Sequence, residues 1–124
     1  MNDQTLLLRQ VHPKFFPDGE VSSQAFFPFP KDDGRLSVYD GDQITGADSY
    51  QHYTATLGLE SVGVWAVSGG EVVSAELTYR ADSVAGNAAH AVVDFGALAE
   101  KECRKLAKRL KKFAVDRDCL YRSA

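Results

Sequence analysis

The chain has only two cysteines, Cys103 and Cys119. They form no CxxC pair and no other zinc spacing. A secreted scaffold built on disulfides is usually shorter and richer in cysteine, so both are expected to be free thiols. Long apolar runs are missing as well. The longest aliphatic run near the start is Leu6 to Leu8, far too short for a signal peptide or a membrane span. The expectation is a cytosolic protein. Of the three histidines, His12, His52 and His90, no two stand at HxH or HxxxH spacing. Transition-metal sites normally show such local pairs, so no metal site is expected. A Walker sequence, GxGxxG and GxSxG are all absent, and no cofactor is expected.

What is present is ordinary in amount and uneven in distribution. The 124 residues are 44% hydrophobic and 25% charged, which fits one soluble domain spanning 1–124 with a core of its own. The net charge of −3 hides a split. Residues 1–97 carry 5 Lys and Arg against 13 Asp and Glu, and residues 98–124 carry 9 against 4. The body is acidic and the tail basic, which marks either an interaction element or a helix with a solvated face.

Periodicity divides the chain. Thr5 to His12 reads as a first strand, ended by Pro13. Pro17-Asp18-Gly19 is a turn. Gln24 to Phe29 reads as a second strand, ended or forced to an edge by Pro28 and Pro30. Asp32-Asp33-Gly34 is a turn before a strand over Arg35 to Asp40, with Leu36 and Val38 on one face and Ser37 and Tyr39 on the other. A helix follows over Gly46 to Leu57, with Thr45 as N-cap, Ala47, Tyr50, Thr54 and Leu57 inward, His52 solvated and Gly58 as C-cap. Ser61 to Val67 is apolar on both faces and reads as a covered strand. Gly69-Gly70 suits a hairpin turn into a half-exposed strand over Glu71 to Arg80. Asp82 to Asn87 is a loop and Ala89 to Phe95 a last strand. A final helix over Ala97 to Asp118 carries Ala99, Cys103, Leu106, Leu110 and Phe113 on one stripe. Lys101, Arg104, Lys105, Lys108, Lys111 and Lys112 lie opposite. The fold class is α+β, a mainly antiparallel sheet of five or six strands with two helices, the long C-terminal one packed on the sheet.

Candidate functional residues gather around Ser22 to Asp42, where aromatics, prolines, glycines and charges crowd together. Phe26 and Phe27 cannot share one face of a strand. Either that strand is covered on both sides or it leaves an apolar patch for a partner. A protein-binding surface there would use Phe26, Phe29, Lys31, Tyr39 and Asp40, with His12 in the adjacent strand-end loops. A catalytic reading of the same region draws on Arg9, His12, Ser23, Tyr39, Glu76 and His90. Asp94-Phe95-Gly96 spells the magnesium triplet of protein kinases, but none of their other motifs is present, and Asp94 is expected to cap the last helix.

Arg9 on the first strand and Ser22-Ser23-Gln24 further on resemble the ADP-ribosyltransferases of the arginine–serine–glutamate type. The likeness covers about three positions. Arg9 matches the arginine, Ser23 the serine, and Glu71 or Glu76 the glutamate. The family's serine–threonine–serine is SSQ here and its paired glutamate motif is absent. That resemblance implies an NAD-using enzyme, with Arg9 on the pyrophosphate. The segments LLRQVHP, SSQAF, LSVYDGD and HAVVDF, about a fifth of the chain, are similar to short bacterial cytosolic proteins, a resemblance that implies no activity. Three functions follow as expectations. The first is binding of a protein partner through residues 22–42, the second the ribosyltransferase-like enzyme, and the third nucleic-acid binding by the basic face of the last helix. The acidic body argues against the third.

Overall fold

The computed structural model describes residues 1–29 and 32–123. Six strands form one antiparallel sheet in the order β4-β5-β2-β1-β3-β6. They are β1 (Leu6–Val11), β2 (Arg35–Asp40), β3 (Gly63–Ser68), β4 (Thr78–Ala81), β5 (His90–Asp94) and β6 (Tyr121–Arg122). Three α-helices lie among the described residues: α1 (Gly46–Gln51), α2 (Gly69–Ser74) and α3 (Glu100–Arg117). The α+β class, the antiparallel sheet and the C-terminal helix packed on it are as expected. No helix among the described residues is long and apolar enough to cross a membrane.

Alternation along the strands sorts side chains into two cores. Leu7, Val11, Leu36, Val38, Val67 and Val93 point to the face covered by α3, where they meet Phe26, Cys103, Ala107 and Leu110. Leu8, Tyr39, Val64 and Ala66 point the other way, toward Tyr50 and Tyr53. The buried stripe of α3 is Cys103, Ala107, Leu110 and Ala114. It is rotated slightly from the expected one, so Ala99 is exposed and Leu106 and Phe113 are half-buried. Two of its four buried positions are alanines, Ala107 and Ala114.

Three segments differ from expectation. Residues 24–29 are not a strand. Ser23–Phe26 is a 3-10 turn, and the Ser22 hydroxyl accepts from the Gln24 N–H to start it. A serine that caps a turn withdraws the backbone from a ladder. Residues 71–74 are helical, because Ser68 and Glu71 form a reciprocal capping box. Gly69 is therefore not a hairpin residue. A Cβ on it would lie 2.7 Å from both the Asn2 carbonyl oxygen and the Tyr79 ring, so the close approach itself excludes a side chain. In place of the expected strand over 71–80 there is a shorter one, Thr78–Ala81. The short β6 pairs with Gly63 and Val64 after α3, so Ala89 to Phe95 is not the last strand.

Helix α1 starts as expected, with the Thr45 hydroxyl accepting from the Asp48 N–H, but it turns a different face inward. Ala47 and Leu57 are exposed and Ser49 is buried. Gln10 is buried on β1, and its side-chain amide donates to Ser49 Oγ at 3.0 Å while its oxygen accepts from Ser61 Oγ at 2.9 Å. A buried amide needs such partners, and that need rotates the helix. After Gln51 the chain widens into a π-turn over His52–Thr56, which shifts the facing residues again. At the other end of the sheet, Asp94 does not cap α3. Its carboxylate accepts from the Gly96 N–H at 2.7 Å and from Arg80 at 2.8 Å, and α3 begins without a side-chain cap.

Candidate functional site

The two central strands part company. β1 pairs with β3 at six positions, and β2 with β5 at five. Between β1 and β2 only Leu7↔Asp40 and Leu8↔Tyr39 are in register. Beyond Leu8 the strands splay, and Arg9 stands in the fork. Its Nε donates to the Ala25 carbonyl at 2.7 Å and its Nη1 to the Ser37 carbonyl at 2.8 Å. The second bond supplies a donor to a β2 carbonyl just past the last registered pair. Burial pulls the guanidinium pKa below its ordinary value, against the opposing effect of Tyr53 and Asp32 nearby.

The fork opens into a cleft of about 660 Å³. Leu8, Arg9, Gln10 and His12 from β1 and the residue after it line one side, and Ser37, Val38 and Tyr39 from β2 the other. Phe15 and Phe29 close it on one flank, stacked at 6.0 Å between ring centres. Tyr53, Leu57 and Leu59 close it on the opposite flank, with Asn87 and His90 beyond β2. Leu57 and Leu59 are 49% and 48% exposed, so the rim is apolar. Lys14 and Asp32 complete the lining. Charge is therefore segregated. Of the 5 basic residues in 1–97, Arg9 and Lys14 line the cleft, and of the 13 acids only Asp32 does among the described residues.

The imidazoles are fixed by their partners. His12 Nδ1 accepts from the Lys14 N–H at 3.0 Å, so it caps the turn at Pro13–Phe15, and Nε2 faces Glu60 at 3.7 Å. His52 is not solvated. It bonds the Gly86 carbonyl through Nε2 at 2.9 Å and Tyr39 Oη through Nδ1 at 2.7 Å. A carbonyl only accepts, so Nε2 carries the proton and Nδ1 accepts from the phenol. Burial, with Tyr53 beside it, pushes Tyr39 up to about 12. His90 follows the same logic. Nδ1 donates to the Asp82 carbonyl at 2.9 Å, leaving Nε2 to accept from Ser37 Oγ at 3.3 Å.

Four of the six catalytic candidates, Arg9, His12, Tyr39 and His90, meet at this cleft. Ser23 and Glu76 do not. Ser23 lines a separate cavity of about 290 Å³ beneath α3, with Phe27 and Arg104. Glu76 is exposed in the α2–β4 turn at a φ of 62°. Glu71 is committed to Arg117 at 2.7 Å. The arginine, serine and glutamate of the ribosyltransferase pattern are thus not assembled in one pocket.

The partner-surface candidates fare unevenly. Phe26 is fully buried against α3, because the 3-10 turn at Ser23 aims it into the core, and it is no docking residue. Asp40 is 3% exposed. Its carboxylate accepts from the Asp42 N–H and the Gln43 amide, so it builds the turn after β2. Tyr39 is 5% exposed and reaches the cleft only as wall. Phe29 does line the cleft, and Lys31 lies outside the described residues. Sequence reasoning missed Ser37, Asn87 and Tyr53. The signal for Ser37 was its place beside Tyr39 on the polar face of an alternating strand, and Asn87 and Tyr53 offered none. Among the described residues no cluster of three or more His, Cys, Asp or Glu side chains is arranged to hold a metal ion.

Comparison with models of known protein families, with curated protein sequences and with solved structures finds no match. The functional reading therefore rests on the geometry of the cleft.

Proposed function

We propose that the protein, cytosolic as its two unpaired thiols suggest, binds a small organic anion in the fork between β1 and β2. The observation that carries this reading is the segregation of charge. In an acidic body, Arg9, Lys14 and two imidazoles line one cleft, and among the described residues Asp32 is the one acid in its lining, while Glu60 and Asp82 face the imidazoles from outside it. A guanidinium held by two carbonyl bonds loses little conformational freedom when an anion arrives, and its planar fork matches carboxylate or phosphate oxygens. The apolar rim of Phe15, Phe29, Leu57 and Leu59 suits a ligand with a flat or aliphatic body. The volume falls within the range of about 300–1,000 Å³ common for small-molecule sites.

A flat partner-docking patch over residues 26–29 is disfavoured. Phe26 and Pro28 are buried and Phe27 and Phe29 half-buried, and Phe29 belongs to the cleft. The basic face of α3 also spends part of its charge internally, in pairs such as Arg104–Glu100 and Lys112–Asp116.

The test is thermal denaturation in the presence of aryl carboxylates and aryl phosphates. A ligand that binds only the folded state raises the melting temperature, by about 2.7 kcal/mol of stabilisation at a hundredfold excess over Kd. The increase should saturate and should shrink in Arg9→Lys and Lys14→Glu. No saturating increase with either class of anion, or an increase indifferent to both substitutions, overturns the proposal.

A further inference from the structure

Ser37, His90 and Asp82 form a relay that binding alone does not require. Ser37 is exposed on β2, and its hydroxyl donates to His90 Nε2 at 3.3 Å. The other ring nitrogen donates to the Asp82 carbonyl at 2.9 Å and lies 3.3 Å from Asp82 Oδ2. Sheet register makes this arrangement. Tyr39 stands opposite His90 and Ser37 opposite Val92, so Ser37 and His90 are diagonal neighbours on one face. Asp82 joins them because its N–H donates to the His90 carbonyl at 2.9 Å, extending the β4–β5 hairpin. The ring is therefore locked in the tautomer whose free lone pair faces a serine hydroxyl.

We propose that Ser37 is a nucleophile activated by His90, and that the cleft hydrolyses esters whose acyl part carries a negative charge. The charge preference rests on the anion-binding reading above. Ser37 Oγ attacks the ester carbonyl carbon while its proton passes to His90 Nε2. The bond from that carbon to the alcohol oxygen then breaks, and the alcohol leaves with the proton from His90. Water attacks the acyl-serine, gives a proton to His90, and the Ser37 oxygen departs and recovers it. The sum is ester plus water to acid plus alcohol, with no change of oxidation state. Asp82 is a positioning residue: its carbonyl holds the tautomer, and its carboxylate faces the imidazolium that forms in each half. Arg9 donates to the main-chain carbonyl of Ser37 itself, which fixes a positive charge on the wall of the cleft that Ser37 also lines. The Ser37–His90 distance is long for a resting pair, and such bonds tighten when substrate is seated.

The experiment exposes the native protein to a fluorophosphonate probe, which phosphonylates activated serines, and follows intact mass and the modified peptide. One adduct at Ser37 is expected. Ser37→Ala should abolish it with an unchanged circular dichroism spectrum, and His90→Gln should slow it by about 100-fold or more, the range of general-base contributions. With 4-nitrophenyl hydrogen succinate as substrate, Asp82→Asn should lower kcat several-fold and leave KM unchanged, which a merely structural loss would not do. No adduct on the folded protein, an adduct elsewhere, or a rate indifferent to His90→Gln overturns the inference. Anion-dependent thermal stabilisation without any adduct would overturn the nucleophile and leave the binding reading standing. Equal turnover of the succinate ester and neutral 4-nitrophenyl butyrate, alongside Ser37 labelling, would keep the nucleophile and overturn the anion preference.

Discussion

The half of the sheet under α3 and the fork between β1 and β2 are made from the same strands. Under α3, Leu7, Val93, Phe26 and Leu110 have no exposed surface and pack in one apolar cluster. In the fork, two residues further along β1, a guanidinium takes the position a core aliphatic would otherwise hold. The difference arises from pairing. Along the registered pairs β1–β3 and β2–β5, alternation delivers apolar side chains to a sealed core. Where β1 and β2 separate, the Ser37 carbonyl has no partner on β1's backbone, and Arg9 donates to it and to the Ala25 carbonyl of the adjoining 3-10 turn. The sealed region carries packing energy and the fork carries convergent polar groups. Substitutions should therefore divide by region.

The largest effects belong to the sealed half. Phe26→Ala should cost about 3–5 kcal/mol and Leu110→Ala about 2–5 kcal/mol in denaturant-induced unfolding. Ser37→Ala and Lys14→Glu in the fork should stay within about 0.5 kcal/mol, as ordinary surface changes do. If the fork substitutions were equally costly, the division would fail.

Next comes the clamp between α3 and α2. Arg117 Nη1 donates to Glu71 at 2.7 Å and to the Ala66 carbonyl at 3.0 Å. Arg117→Met should cost roughly 1–3 kcal/mol, the scale of charged hydrogen bonds that remain partly open to solvent. Burial pushes the Glu71 carboxyl up, but the bonds from Arg117 and the Ser68 N–H outweigh it and hold it below its ordinary value. Asp94 is likewise held low by Arg80 and the Gly96 N–H. A depressed carboxylate stabilises the fold above the ordinary range of roughly 3.9–4.3. That stabilisation is lost as pH falls through the folded values. The acid limb of a stability–pH curve should be shallower in Arg117→Met than in the parent protein.

Much of this fold can be read in the sequence because alternation and helical stripes are local. Leu36 and Val38 against Ser37 and Tyr39 define β2, and the apolar run Ser61 to Val67 points to a covered strand, which is observed over Gly63–Ser68. Residues 69–74 were harder. Ser68 and Glu71 have capping-box spacing, and Val72 and Ala75 are three apart, but the glycine pair between them suggests a hairpin more strongly. Residues 23–26 turned because Ser22 bonds its own backbone, a competition that aromatic content masks. The site was less legible than the fold. Arg9, Tyr39, His12 and His90 can be chosen as polar residues near strand ends. Their meeting depends on where two strands separate, and Ser37 with Asp82 depends on register across three strands. Neither property has a local signature.

Smaller effects sharpen the contrast at the edge of the cleft. Tyr39 is pushed up to about 12 by burial and the neighbouring Tyr53. A phenol with a raised value stabilises the fold below its ordinary value of about 10 and loses that contribution as pH rises through the folded one. Spectrophotometric titration should show two of the five tyrosines ionising late, Tyr39 and also Tyr79, which its hydrogen bond to the Asp3 carboxylate holds above its ordinary value. Tyr39→Phe should remove one of those late steps. Smallest of all, Lys108→Ala on the exposed side of α3 should cost under about 0.5 kcal/mol. A larger loss would mean that this face supports more than solvent.

The most direct measurement is a two-dimensional amide NMR titration with benzoate and 1-naphthyl phosphate. The account predicts saturable shifts concentrated at Arg9, Lys14, Ser37, Tyr39 and His90, with α3 unmoved. Shifts confined to the lysine face from Lys101 to Lys112, or no saturable shifts with either anion, would contradict it.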